Sequence, residues 1–213
     1  LQNKYFTILG IKKKYKSLFL VVEDENGKLF KKNIESDKKF NLPSYIIFEI
    51  EINKAKKNIG NMIWLNDVFD FENFYSGDDY NFSKFEPVKV IDLIFRQNNE
   101  IGFPIWLEVK SNQGATGFVR YSGDEGRIGF KDHYFTKNPL PSSTDKIVVE
   151  NILNQQVILG MSERECRIAI GNPSSINDTS SRHGIGKQYI YEKNNGKKIY
   201  FQFEYGKLVN INE

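Results

Sequence analysis

The 213-residue sequence predicts an α+β protein, in which an antiparallel β region is followed by two helices packed on a three-stranded antiparallel sheet. Three observations predict it. Phe and Tyr together supply 28 residues against two Trp and two Met, a bias that suits aromatic cross-strand packing. Short apolar runs separated by Asn-Gly and similar turn dipeptides fill the first two thirds of the chain. Helix punctuation is concentrated after Pro139 and Pro141, which mark a boundary between a β region, 1–140, and an α+β region, 141–213.

In order along the chain, Tyr5–Ile11 and Ser17–Glu23 read as strands, Asn26-Gly27 as a hairpin turn, and Leu29-Phe30 as the start of the return. Tyr45–Ile52 begins as a continuous apolar run and ends alternating, which predicts a strand with one buried face. Met62–Leu65 is a further strand. Asp67–Tyr80 then mixes aromatics and acids with no period and reads as a long ordered loop; loops of that length in compact domains often carry function. Phe71, Phe74, Tyr75 and Tyr80 are therefore candidate partner-contact residues. Val88–Arg96 is a strand, Asn98-Asn99 a turn, and Pro104–Lys110 a strand with Ile105, Leu107 and Val109 on one face. Asn112-Gln113-Gly114 closes a hairpin onto Thr116–Tyr121. Trp106-Leu-Glu-Val-Lys, the glycine turn and Gly117-Phe118-Val119 together resemble the central hairpin of a bacterial SH3-like barrel. That resemblance implies one or two small barrels within 1–140, with Trp106, Phe118, Tyr121 and Tyr134 as binding aromatics.

The first helix is predicted at Asp145 to about Asn154, after a Ser-Ser-Thr cluster that offers N-caps, with Ile147, Val148, Ile152 and Leu153 as its apolar stripe. Val157–Pro173 holds the second. Ser162 and Glu165 form a capping-box pair, Cys166, Ala169 and Ile170 fall on one face, Gly171 supplies the stop, and Pro173 forbids resumption. Ser174–Gly186 reads as a polar loop, and Lys187–Tyr191, Lys198–Phe203 and Leu208–Ile211 as three strands.

The ordered series of a short helix, Gly-Met-Ser-x-x-Glu, Ile-Gly-x-Pro, a Gln-Tyr strand, a Phe strand, a Gly-Lys turn and a last strand resembles the SmpA/OmlA family, the BamE-like α/β domains of outer-membrane lipoproteins, whose architecture β-lactamase-inhibitor repeats share. The match spans residues 145–213; Tyr189 stands where such sequences often show Trp, and residues 1–140 have no counterpart in the small assembly lipoproteins. The resemblance implies an exported protein, either periplasmic or held at the outer membrane by a lipid on a cysteine outside these residues, with a non-enzymatic, protein-binding role. The start at Leu1 rather than Met points the same way, toward a removed targeting segment.

Charge and side-chain chemistry narrow the classes further. A net charge of +3 is too small for a nucleic-acid partner, and no apolar run reaches the ~18–20 residues of a membrane span. The distribution is uneven: residues 1–60 carry 13 Lys against 7 acids, and 61–100 carry 3 basic against 8 acidic groups. Lys12-Lys13-Lys14 fits either a solvated edge or attraction to an anionic membrane surface. The single cysteine, Cys166, excludes an internal disulfide and suits a buried apolar position. His133 and His183 lie in loops without zinc-ligand spacing, no Gly-x-Ser-x-Gly elbow is present, and Asp78-Asp79 and Asp124-Glu125 begin no calcium loop. Gly123–Gly126 and Gly184–Gly186 are turn glycines rather than phosphate cradles. No catalytic residue, metal ligand or cofactor site is expected. The expected function is a cell-envelope protein-interaction module; the alternative is a carbohydrate or peptidoglycan-binding module using the SH3-like aromatics.

Overall fold

A computed structural model describes residues 5–15, 17–34, 47–96, 105–181, 184–193 and 195–213, within two compact units, Leu1–Ile46 and Ile47–Glu213. In the first unit β1 (Phe6–Lys14), β2 (Ser17–Asp24) and β3 (Leu29–Ile34) form an antiparallel meander. Its hairpin turn is held by the Asp24 carboxylate, which accepts from the Asn26 and Lys28 amides at 3.0 and 2.9 Å. A bulge places Leu9 as an extra residue, since Ile8 faces Val22 and Gly10 faces Val21. The shift of parity lets Ile8 and Ile11, three positions apart, share one face with Val22 and Leu20.

The second unit begins with α1 (Glu49–Lys56). A six-stranded antiparallel sheet follows, made of β4 (Met62–Leu65), β5 (Phe74–Ser76), β6 (Pro87–Phe95), β7 (Ile105–Ser111), β8 (Thr116–Arg120) and β9 (Tyr134–Phe135) in the order β5-β8-β7-β6-β4-β9. Its inward positions Ile63, Leu65, Val88, Val90, Leu107, Val109 and Val119 make a core closed by Phe74, Phe82 and Tyr134. Next come α2 (Lys146–Leu153) and α3 (Glu163–Ile170), then β10 (Ser175–Ser181), β11 (Gly184–Glu192), β12 (Lys198–Glu204) and β13 (Lys207–Asn212) as a four-stranded antiparallel sheet in sequential order. Ile152, Met161, Cys166, Ala169, Tyr189, Phe201, Phe203 and Leu208 fill a second core between helices and sheet.

The helices end where their local chemistry says. Asp145 accepts from the Ile147 amide at 2.7 Å to cap α2. At α3 the Glu165 amide donates to Ser162 Oγ at 3.2 Å while the Ser162 amide donates to Glu165 Oε2 at 2.6 Å, a complete capping box. Gly171, at φ +91°, terminates α3. Burial holds the Cys166 thiol up at about 12, so it is protonated and packs as an apolar group. Glu163, on the first turn, is pushed up by burial, but the Tyr189 hydroxyl at 2.6 Å and Lys187 at 3.0 Å outweigh this and hold its carboxyl below the ordinary range.

The two cores meet along β4 and β9. Ile63 and Leu65 point into the first core and Trp64 toward the second; Tyr134 belongs to the first and Phe135 to the second. The 121–133 segment adds a polar clasp between the halves. Asn172 Nδ2 donates to the Phe130 carbonyl at 2.7 Å, the Gly129 amide donates to Pro173 at 2.8 Å, and the Gly126 amide donates to Asp132 Oδ1 at 2.9 Å. Gly126 sits at φ +74°, a backbone conformation that favours glycine, with the end of the Arg167 side chain beside it.

The expected fold class is corrected. The chain is mostly β, 44% strand against 13% helix, with three helices and thirteen strands in three sheets among the described residues; a BamE-like domain of two helices on a three-stranded sheet is not shown, nor is an SH3-like barrel. One cause is β10: Ser175–Ser181, read as a polar loop, pairs residue by residue with β11 and makes the C-terminal sheet four-stranded. Another is α1. Glu49-Ile50-Glu51-Ile52 alternates, yet the segment is helical, with Ala55 its one buried residue and Glu51 paired to Lys54 at 2.8 Å. Tyr45-Ile46, the Asn98-Asn99 turn and Pro104 lie outside the described residues, and the hairpin over 105–120 is an interior part of the six-stranded sheet. The boundary expected near residue 140 falls inside the second unit, between β9 and α2.

Because β4 and β9 serve both cores, damage in one should be felt in the other. Ile152→Ala, which empties a site only in the second core, is expected to cost about 2–5 kcal/mol. The loss of urea midpoint should be equal whether it is read from Trp106 in a Trp64→Phe background or from Trp64 in a Trp106→Phe background. Unequal shifts would show that the halves unfold separately.

Candidate functional site

The loop between β4 and β5 is built from alternating inward and outward residues. Immediately after β4, the Asn66 and Asp67 amides both donate to the His133 carbonyl, at 2.9 and 3.3 Å, and Asn66 Nδ2 donates to the Asp132 carbonyl at 2.6 Å. Asp67 is buried, and its carboxylate receives Lys131 Nζ at 2.7 Å and Asn73 Nδ2 at 2.9 Å. Val68 packs on the first core. Asp70 is the loop's internal brace: one carboxylate oxygen accepts from the Glu72 amide at 3.0 Å, the other from Asn73 Nδ2 at 2.7 Å, and its carbonyl accepts from the Asn73 and Phe74 amides at 2.8 Å each. Asn73 closes the loop by accepting from the Arg120 amide at 2.8 Å.

With the backbone so held, Phe69 and Phe71 stand outward, 83% and 87% exposed, on either side of Asp70. A phenyl group gains nothing from water, and a loop braced at this many points cannot turn both rings inward without breaking its hydrogen bonds. The result is a rigid pair of apolar knobs flanked by the carboxylates of Asp70 and Glu72.

His133 supports the loop through its ring as well. Its Nδ1 lies 2.9 Å from the Arg120 carbonyl, which can only accept, so Nδ1 carries the proton in the neutral ring. Burial holds the imidazole below its ordinary 6.5, partly offset by that hydrogen bond. Asp132 next to it is pushed up by burial, against the Gly126 and Asn172 hydrogen bonds that favour its charge.

The candidate residues separate into three environments. Phe71 is fully outward, whereas Phe74 and Tyr134 are core residues, the Tyr134 hydroxyl driven strongly up by burial. Tyr75, Trp106 and Phe118 gather on the outer face of the six-stranded sheet: Tyr75 stacks on Phe118 at 4.7 Å, meets Trp106 edge-on at 5.3 Å, and carries the Arg96 guanidinium 4.7 Å from its ring centre. Trp106 itself is buried, 4% exposed. Tyr80 donates to Glu86 Oε1 at 3.0 Å and packs on Phe82; Tyr121 is half-buried against the first core. Phe69 was identified in the sequence only as part of an aromatic stretch, and its outward position depends on Asp67 and Asn73 rather than on its own neighbours.

The acidic pairs have structural partners. Asp78 accepts from the Thr116 amide at 2.6 Å, and Glu125 accepts from the Thr136 amide and hydroxyl. Among the described residues no group of three or more His, Cys, Asp or Glu is placed to hold a metal ion, and no helix is long and apolar enough to cross a membrane. His183 lies outside the described residues. A shallow depression of about 410 Å³ beside α2, lined by Leu140, Val149 and Leu153 with Lys146 and Glu150, brings no acid, base and nucleophile together. Comparison with known proteins gives no match, whether to a family model, a curated protein or a solved structure.

Two outcomes test this description. Asn73→Ala removes a side chain that donates to both Asp67 and Asp70, and should cost about 1–3 kcal/mol. It should also speed hydrogen exchange of the 69–74 amides selectively; unchanged protection there would show that the brace is not Asn73. For His133, the folded-state pKa lies below the unfolded value of 6.5, so the unfolded chain binds the extra proton. Stability is then full above about pH 6.5 and falls as pH drops from there toward the folded-state value. Urea midpoints at pH 7.5 and 5.5 should differ in the wild type and differ less in His133→Asn, which keeps a donor near the Nδ1 position.

Proposed function

We propose that this chain is a non-enzymatic interaction module of a bacterial cell envelope that binds a protein partner through the β4–β5 loop. The single observation that carries the binding reading is the outward pair Phe69 and Phe71 on a loop fixed by hydrogen bonds at both ends. Preorganised aromatic anchors are what protein interfaces use as hot spots, because the ordering cost has been met before the partner arrives. Asp70 and Glu72 beside them favour a partner whose apolar pocket has a basic rim. The placement in the periplasm or at the outer membrane is supported by the series of sequence motifs over 145–213 alone.

The alternative, binding of carbohydrate or peptidoglycan, is less well supported. A sugar stacks on a free aromatic face. Trp106 is buried, and Tyr75 and Phe118 are stacked on one another with Arg96 over Tyr75.

The test is affinity capture from membrane extracts with the wild-type chain and with Phe69→Ser/Phe71→Ser. One protein species should be retained by the wild type and bound roughly 30-fold more weakly by the double variant, the loss of about 2 kcal/mol that defines a hot spot. Because both residues are exposed, the urea midpoint should not change. Equal recovery by both chains, or no recovery by either, would remove this reading. Sedimentation with purified peptidoglycan that is lost in Phe118→Ala would favour the alternative.

A further inference from the structure

The N-terminal three-stranded sheet has an apolar content out of proportion to what it buries. Among its described residues only Leu20 and Val21 are buried, while Ile8 and Ile11 are 42% and 53% exposed. Strand pairing puts these two on one face with Val22, Leu20 and Leu18 of β2 and with Phe30 and Ile34 of β3. Phe6 joins them, meeting Phe30 edge-on at 5.6 Å. Leu20, at the middle of that face, is 3% exposed, so the open part of the face is its β1 margin at Ile8 and Ile11.

Charge surrounds it. Lys13 and Lys32 lie on the apolar face itself, opposite Leu18 and Leu20, and Lys12 and Lys14 emerge from the same strand on the other side. Lys12, Lys13 and Lys14 are exposed and engage in no ion pair among the described residues. Residues 1–46 as a whole carry ten lysines against five acids. An apolar face bordered by unpaired lysines is complementary to one kind of surface in particular. A bilayer rich in anionic lipid offers negative headgroups to the lysines and, just beneath them, hydrocarbon to the isoleucines.

We propose that this sheet docks on an anionic membrane surface, with Ile8 and Ile11 entering the headgroup boundary, Lys13 and Lys32 of the same face held at the phosphates, and Lys12 and Lys14 on the other side adding longer-range attraction. The bulge at Leu9 has a direct part in this, because it alone brings Ile8 and Ile11 to the same face. The site is separate from the β4–β5 loop, and either can fail without the other.

The experiment is co-sedimentation of the full chain with vesicles of phosphatidylglycerol and phosphatidylcholine, against vesicles of phosphatidylcholine alone. The wild type should sediment with the anionic vesicles only, and release at ~1 M salt, where the screening length falls to about 3 Å. Lys13→Gln/Lys32→Gln should lower partitioning roughly 30-fold, from ~1 kcal/mol per lysine. Ile8→Asp/Ile11→Asp should abolish it, and Phe69→Ser/Phe71→Ser should leave it intact. No sedimentation with anionic vesicles, or equal sedimentation with both lipids, overturns the proposal. So does binding that is indifferent to the lysine substitutions and to salt, an arm that does not depend on how the aspartate variant folds. A dimer that Ile8→Asp/Ile11→Asp dissolves, in a chain that ignores vesicles, would assign the face to a second copy instead.

Discussion

The alternation of side chains along β4 and β9 is the constraint on which the rest of the larger unit depends. A strand sends successive residues to opposite faces, so a strand pair with one residue set in each of two cores ties those cores together without any linker. Here the tie is short. Ile63, Leu65 and Tyr134 fill one side, Trp64 and Phe135 the other, and the Trp64 position faces both Pro87 and Phe135 across the ladder. Pro87 has no amide to donate, and the register is completed from outside the strands by Leu65 donating to the Glu86 carbonyl at 3.1 Å and Phe85 donating to Leu65 at 2.6 Å. A one-residue slip would send Trp64 into the first core and Ile63 out of it, so register and core identity are the same choice.

The two loops that matter most grow from the ends of this pair. The 66–73 segment leaves β4 at Leu65, and the 121–133 segment enters β9 at Tyr134, which is why one carbonyl, that of His133, can receive both Asn66 and Asp67. Each loop carries buried polar groups, and such groups are tolerated only when they are bonded. Asp67, Asp132 and His133 meet that condition partly through the other loop, whereas Asn73 Oδ1 is left without a partner among the described residues, so the polar chemistry reinforces the apolar tie only in part. The exposed phenyl groups are the part of the loop left over once these demands are met.

Which features could be read from the sequence follows from the range of the forces involved. The Ser162–Glu165 pair and Gly171 act within one helical turn, and the helix ends they define stand where the local pattern put them, whereas α2 is capped by Asp145 and not by the Ser142–Thr144 cluster before it. The Ile105-Leu107-Val109 face was equally local. The polar strand Ser175–Ser181 was not legible, because its place comes from a backbone ladder with β11 that side-chain identity does not encode. In α1 a period of two in Glu49–Ile52 concealed a helix that buries little beyond Ala55 and so lacks an apolar stripe. The candidate site shows the same division. Phe71 and Phe74 are indistinguishable by composition, yet one is outward and the other in the core, and the contact that decides it joins Asp67 to Lys131 across 64 positions.

Exposed apolar groups are also a hazard, and the two units contain it by different means. The phenyl pair near β5 is confined to a short, internally hydrogen-bonded loop. Among the described residues β1 is an edge strand, the arrangement most prone to pairing with another chain. Its bulge twists the edge and its lysine run repels a second copy of the same edge, both recognised defences against strand addition. Neither defence obstructs an approach from the face. A lipid surface asks for no backbone partners and is attracted by the very charge that repels another strand. The features that keep β1 from recruiting a sheet therefore leave the exposed Ile8 and Ile11 margin open to the flat, negatively charged partner proposed for it.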